Sequence, residues 1–110
     1  MSSHPVCALN LFNIKDREEY LTYVRRSARE VPAHGGKVIG IGKFQDAAVG
    51  DISPRQVLIL VEWLSHEALQ SYINNPSLSD LRAQRINGTS DYVWHFYEKL
   101  EDFRPILKSE

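Results

Sequence analysis

The run Val57-Leu58-Ile59-Leu60-Val61-Glu62-Trp63 is apolar at every position except Glu62. Its shortness and its β-branched and aliphatic content read as a strand. Successive side chains of a strand point to opposite faces of the sheet. Val57, Ile59, Val61 and Trp63 therefore fill one face, and Leu58 and Leu60 fill the other. An antiparallel sheet with one solvated face would instead alternate apolar and polar residues. This sheet needs cover on both sides, and a chain of 110 residues has little core to spare. A second aromatic run repeats the pattern, with Tyr92, Trp94 and Phe96 opposed by Val93, His95 and Tyr97.

The rest of the chain supplies the neighbours of these strands. Val6–Ile14 reads as a first strand, with Cys7, Leu9 and Leu11 on one face and Ala8, Asn10 and Phe12 on the other. Asp16 followed by Glu19 is a capping-box pattern. It opens a helix whose Tyr20, Val24, Ala28 and Val31 recur at helical spacing. Pro32 is expected to end that helix, because the residue before a proline is pushed out of the helical region. Gly35-Gly36 then turns the chain into a second strand over roughly Lys37–Phe44. Gly50-Asp51-Ile52-Ser53-Pro54 is turn chemistry. Ser65 caps a second helix with an Ala68, Leu69, Tyr72, Ile73 stripe, and Asn75-Pro76 caps a short one ending at Asn87-Gly88. The last strand is expected over Tyr92–Lys99, followed by an amphipathic tail from Leu100 to Glu110.

The order β-α-β-β-α-(α)-β is the split βαβ pattern of an α+β, ferredoxin-like domain with a four-stranded antiparallel sheet. Two main helices cover only one face of such a sheet. The expected partner for the other face is the same face of a second copy, giving a homodimer.

Composition narrows the function. Thirteen Lys and Arg against fourteen Asp and Glu give a formal net charge of −1, so nothing marks the chain for nucleic acid or an anionic membrane. Its apolar runs are far shorter than the ~20 residues of a membrane span. Met1-Ser2-Ser3-His4-Pro5 lacks the pattern of a signal peptide, and the lone Cys7 excludes an internal disulfide. These features imply a cytoplasmic protein of one domain, residues 1–110, with its core over about 6–99 and a tail over 100–110.

Ala33-His34-Gly35-Gly36-Lys37, Gly50-Asp51, Val61-Glu62-Trp63-Leu64-Ser65 and Asn74-Asn75-Pro76 resemble domain-of-unknown-function family 1330, a branch of the dimeric α+β barrel superfamily. Tyr20, Tyr23 and Arg85 add to the likeness, whereas Leu78 and Tyr72-Ile73 depart from the family's usual aromatics. The tail beyond Lys99 has no clear counterpart in it. The resemblance implies a homodimer whose sheets face each other around a cavity. It implies no one reaction, since relatives in the superfamily include cofactor-independent monooxygenases, isomerases, cyclases, dehydratases and binding proteins.

Assigning strand faces by apolarity places Ala8, Asn10, Phe12, Leu58, Leu60, Glu62, Val93, His95 and Tyr97 on the barrel side. An apolar wall with a few convergent polar groups is the usual form of a small-molecule site. A one-residue shift of a strand would exchange its two faces. His95 is the first catalytic candidate, since imidazole exchanges a proton near neutral pH; it could equally be a hydrogen-bonded rim residue. Glu62 is either a buried base or the ion-pair partner of Arg85. Asn10 and Tyr97 suit the orientation of a carbonyl or hydroxyl, and Phe12 suits contact with an aromatic ligand. His34 is a candidate at the cavity mouth, and Arg85 a candidate for an anionic group.

Cys7, among apolar neighbours, reads as a small core residue rather than a nucleophile. Gly40-Ile41-Gly42 lacks the rest of a dinucleotide fingerprint, and His4, His34, His66 and His95 lack metal-ligand spacing, so no cofactor or metal is expected. The leading expectation is a small cofactor-independent enzyme acting by proton transfer on a compact cyclic or aromatic molecule, of isomerase, cyclase or monooxygenase type. The alternative is a non-catalytic homodimer that binds a metabolite or a protein.

Overall fold

The computed structural model describes residues 4–50 and 52–108. The Met1-Ser2-Ser3 start, Asp51 of the expected turn and the last two tail residues lie outside the described residues. The order is β1 (Val6–Ile14), α1 (Arg17–Ala33), β2 (Gly36–Lys43), β3 (Val57–Trp63), α2 (His66–Asn74), a 3₁₀ turn (Pro76–Leu78), α3 (Ser79–Gly88), β4 (Thr89–Glu98) and α4 (Arg104–Leu107). The strands form one antiparallel sheet in the order β2-β3-β1-β4. This is the expected ferredoxin-like topology, with the two-faced strand β3 in the interior of the sheet.

Three local expectations need correction. Helix α1 runs one residue past Pro32, to Ala33. A proline in the last turn forfeits only its own N–H bond, and the chain leaves the helix instead at Gly35, whose φ of +95° suits glycine. The last strand starts at Thr89 rather than Tyr92, because Ile14 and Asn13 pair with Thr89 and Ser90 beyond a register shift that leaves one extra residue on β4. Asp91, at φ +54°, absorbs that irregularity on β4.

The third correction concerns the faces of β1. Ala8 lies in register with Val61 and Phe96, and Asn10 with Ile59 and Trp94. Val6, Ala8, Asn10 and Phe12 are buried, so they face the helices, and Cys7, Leu9 and Leu11 face the other way. Apolarity alone favoured the reverse, since Ala8 and Asn10 are the least hydrophobic pair on the strand. Ala8 instead gives a small residue beside the bulky Phe96, and Asn10 is tolerated because its polar atoms are hydrogen-bonded. The faces expected for β3 and β4 stand, with Ile59, Val61, Trp94 and Phe96 toward the helices.

The core lies beneath α2 and α3. Val6, Ala8, Val61, Trp63, Leu69, Tyr72, Leu78 and Leu81 form its buried cluster. Helix α1 contributes no buried residue. It is held at its ends and along α3. Asp16 accepts hydrogen bonds from the Glu18 and Glu19 N–H groups, and the Gly88 carbonyl accepts from Lys15 N at 2.8 Å and Asp16 N at 3.2 Å. Arg26 pairs with Asp80 of α3. At the far end, Leu64 N donates to the Gly35 carbonyl at 3.0 Å.

A methyl group on Gly88 would lie 2.9 Å from the Tyr20 nitrogen and 3.0 Å from its Cα, both backbone atoms that cannot swing aside. Gly88→Ala should therefore destabilise the fold by about 1–3 kcal/mol, the range for forced overpacking, as read from the midpoint of urea unfolding. An unchanged midpoint would show that α1 does not depend on this close approach.

Candidate functional site

Tyr23 and Val31 of α1 pack against the edge of the core, yet no α1 residue is fully buried, and a cleft of about 740 Å³ lies between the helix and the sheet. Tyr20, Tyr23, Val24, Ala28 and Val31 of α1 form one wall. Asn10, Phe12, Ile59, Trp63, Tyr92 and Trp94 of the sheet form the other, and Tyr72 of α2 closes an end. The cleft opens toward the β2 edge, where Val38 and Ile41 line it while remaining exposed. Phe12 stacks on Tyr92 with ring centroids 4.9 Å apart and touches Tyr20 at 5.4 Å. Trp63 lies 4.9 Å from Tyr72.

Apart from Lys37 on β2, the polar groups of this wall are neutral. The Tyr92 hydroxyl donates to Asn10 Oδ1 at 2.6 Å, and Asn10 Nδ2 donates to the Ile59 and Ala8 carbonyls at 3.2 and 3.4 Å. Asn10 is thus fully engaged with the chain, and Tyr92 Oη keeps its lone pairs for an incoming donor. Burial pushes the Tyr72 hydroxyl up to about 12, Glu30 adding to the rise while Arg85 and Arg26 oppose it. Burial likewise raises Tyr20, Tyr23 and Tyr92, and Arg85 opposes the rise of the last two. The Arg85 guanidinium lies over the Tyr92 and Trp94 rings, 5.0 and 5.2 Å from their centroids. The Trp63 and Trp94 indole Nε1 atoms are buried and have no hydrogen-bond partner.

The residues singled out from the sequence divide between two places. Asn10 and Phe12 line the cleft on the helix side. His95, Glu62 and Tyr97 lie on the opposite face. There the cross-strand register places His95 beside Leu9, and Glu62 and Tyr97 on either side of Cys7. His95 and Tyr97 are exposed within the chain. Glu62 pairs with Lys99, Nζ to Oε1 at 3.1 Å, and not with Arg85, which belongs to the helical layer on the other side of the sheet. His34 does not line the cleft. Its Nδ1 donates to the Glu30 carbonyl at 2.7 Å, and its Nε2 faces Asn75 Nδ2 at 3.5 Å, tying α1 to the turn after α2. The expected single constellation is therefore split by the sheet.

Sequence reasoning missed Tyr20, Tyr23, Tyr72, Tyr92, Trp63 and Trp94 as cleft residues, treating most of them as core. The available signal was the density of aromatics carrying a polar atom, since buried tyrosine and tryptophan usually find a partner for it. Among the described residues, no three His, Cys, Asp or Glu side chains cluster as metal ligands, and no helix is long and apolar enough to cross a membrane.

A family profile described as domain of unknown function (DUF1330) matches residues 7–96. The chain belongs to this family. No curated protein matches it. Among solved structures, it resembles the RPA0582 protein of unknown function from Rhodopseudomonas palustris, with 21% identity and a TM-score of 0.80 over 92% of this chain and 86% of that one. It also resembles SnoaB, a cofactor-independent oxygenase from Streptomyces nogalater, at 11% identity and a TM-score of 0.63, over 93% and 99% of the two chains. A dimeric ferredoxin-like protein of unknown function from Thermobifida fusca follows at 12% identity and a TM-score of 0.60, over 90% and 94%. At these identities the likeness shows the fold.

The raised tyrosines have a consequence for stability. Between the ordinary phenol range near 10 and the folded value near 12, the folded chain holds protons that the unfolded chain has released. Stability tied to these groups is complete below pH 10 and falls as pH rises through the folded values. Denaturant midpoints should decline between pH 10 and 12, and absorbance titration at alkaline pH should show Tyr72 ionising near 12 with Tyr92 later. Ionisation of every tyrosine near 10 in the folded protein would contradict this arrangement.

Proposed function

We propose that the chain binds a compact cyclic or aromatic organic molecule in the cleft between α1 and the sheet. It acts on that molecule without a cofactor, by proton transfer, in a reaction of isomerase, cyclase or monooxygenase type. The observation that carries this reading is the aromatic cleft itself. Its volume of about 740 Å³ falls in the range of small-molecule sites, and its largely apolar lining includes the polar side chains of Asn10, Lys37, Tyr72 and Tyr92. Phe12, Tyr92, Trp94 and Trp63 offer ring faces for stacking. The cofactor-independent oxygenase that shares this fold is a precedent for such chemistry on this scaffold. The neutral phenols would orient an oxygen of the substrate, and the Arg85 cation, behind Tyr92 and Trp94, favours negative charge developing there.

One observation favours the non-catalytic alternative. The residues lining the cleft include no carboxylate, imidazole or thiol to take a proton. In the enzyme reading the substrate must then ionise readily by itself, with the wall stabilising its anion. A binding protein has no such requirement.

The two readings separate with 2-tetralone as a probe, following deuterium exchange at its acidic ring carbon by NMR and its binding by calorimetry. Exchange faster than in buffer, weakened in Tyr92→Phe, supports the enzyme. Binding without faster exchange supports the metabolite-binding protein, and Tyr92→Phe should then weaken affinity by about three- to tenfold, the worth of one hydrogen bond. Absence of binding removes the cleft as a site. If His95→Ala abolishes exchange while Tyr92→Phe leaves it intact, the chemistry belongs to the opposite face with His95 and Glu62.

The partner proposed for that opposite face is a second copy of the chain. Leu9, Leu11, Leu58, Leu60 and Val93 are only half-buried there, and a solved neighbour of this fold is described as dimeric. Light scattering should give twice the chain mass of 12.6 kDa. Leu60→Glu, in the row between Gly40 and Leu9, should shift the population to monomer. A wild-type monomer at micromolar concentration would refute the homodimer.

A further inference from the structure

We infer that the ligand of the cleft carries an ionised oxygen, of a carboxylate, enolate or phenolate, bound where Tyr23 and Tyr72 meet Arg85. This rests on the reading of the cleft as a ligand site and specifies the class of ligand it takes. Tyr23, Tyr72 and Trp94 line the cleft and also border a side pocket of about 20 Å³, which Arg82 and Arg85 wall from α3. A space of that size holds one water or one ligand oxygen. Residues that share so small a space stand close together. Among the described residues, no carboxylate lines it.

The hydroxyls of Tyr23 and Tyr72 are the donors within reach. Among the described residues neither has a hydrogen-bond partner, and neither is sealed off from the surrounding space, unlike the indole nitrogens of Trp63 and Trp94. Arg85 opposes the burial-driven rise of both phenols, so both oxygens lie within the field of its charge. A protonated phenol donates to an incoming oxygen. Tyr92 differs, since its proton goes to Asn10.

The cations of the helical layer are not equally free. Arg26 takes Asp80 and stands 4.0 Å from Glu30, the carboxylate whose charge Tyr72 feels. Arg82 Nη1 donates to the Ile73 and Asn75 carbonyls at 2.8 and 3.0 Å. Half-buried Arg85 has neither an ion pair nor a hydrogen bond among the described residues, only the two ring faces. Charges withdrawn from water persist mainly when paired, so an unpaired one beside two free donors marks a place for an anion. The same assignment suits a cleft lined by no carboxylate, imidazole or thiol. A ligand that arrives ionised needs no base to release that proton.

The test compares 2-naphthoate with 2-naphthamide by calorimetry, two probes of nearly equal shape that differ in charge. At about pH 7.5 the acid is fully ionised. The naphthoate should bind about tenfold to hundredfold more tightly, the equivalent of a hydrogen bond to a charged group. Arg85→Gln should remove that preference and leave naphthamide binding in place. Tyr23→Phe and Tyr72→Phe should each weaken naphthoate binding by about three- to tenfold. Lys37, an exposed cation on the β2 side of the cleft, is the competing site, and Lys37→Gln should keep the preference. The preference should also survive about 1 M salt, which shortens the screening length to about 3 Å and strips an exposed lysine of its attraction. That wild-type measurement decides the matter even if Arg85→Gln unfolds. Equal affinities, a preference lost in Lys37→Gln and kept in Arg85→Gln, or one abolished by salt, overturn the inference and leave the cleft as a ligand site. Failure of both probes to bind overturns the cleft reading and the inference with it.

Discussion

Helix α1 is fixed by its ends, by α3 and by partial burial of its apolar stripe, with Tyr23 and Val31 packed against the core. The Gly88 carbonyl holds the start of the helix, Arg26 and Asp80 hold its flank, and the Gly35 carbonyl ties its exit to β3. The absence of a side chain at Gly88 lets the backbone of α3 come against that of Tyr20. The cleft depends on how this helix is held. Tyr23 and Val31 reach the core and Tyr20 meets Phe12, while the remaining space between helix and sheet stays open. The stability of the sheet is secured separately, by Trp63, Leu69, Tyr72 and Leu81 beneath α2 and α3. The chain can therefore keep an open, apolar space without losing its core.

Charge is managed in two tiers. The cleft wall presents aromatic rings, an amide and phenols that burial keeps protonated. Lys37 lines the cleft at its β2 side, and the Arg85 cation lies over the faces of Tyr92 and Trp94, where the ring quadrupoles partly compensate for lost water. In the proposed reading, such a wall would accommodate an apolar ligand and tolerate negative charge on its oxygen. On the far side of the sheet, Glu62 meets Lys99, and His95 sits among Leu9 and its neighbours. The two faces thus differ in kind. One holds the large aromatic cleft, and the other is apolar with a charged margin and a smaller hollow of about 310 Å³ beside Leu11 and Leu58.

Much of this was legible in the residues. The β-α-β-β-α-β order, the caps at Asp16, Ser65 and Asn75 and the glycine exit at Gly35 all follow from local rules that depend on neighbours in sequence. The faces of β3 and β4 were equally readable, since a strand that starts with an aromatic or branched residue declares its parity. Strand β1 was not. Its more apolar side, with Leu9 and Leu11, is the one turned away from the helices, and the decision rested on hydrogen bonds that Asn10 accepts from Tyr92, 82 residues away, and donates to Ile59, 49 residues away. Moving Asn10 and Phe12 across the sheet separated them from His95, Glu62 and Tyr97, and so divided the site.

By itself, the sequence determined a four-stranded sheet that must be covered on both faces, because an unbroken apolar strand cannot be solvated on either side. It also determined where the helices begin, because caps act within a few residues, whereas α1 ran past its expected breaker at Pro32. Only the tertiary structure decided that α1 leaves an open cleft against the sheet, that Glu62 takes Lys99 as its partner and Arg85 takes two aromatic rings, and that the indole nitrogen of Trp63 is buried without a partner. These outcomes depend on distances between segments far apart in the chain. Such distances are set by close backbone approach and by competition for hydrogen-bond partners, neither of which leaves a period or a motif in the sequence.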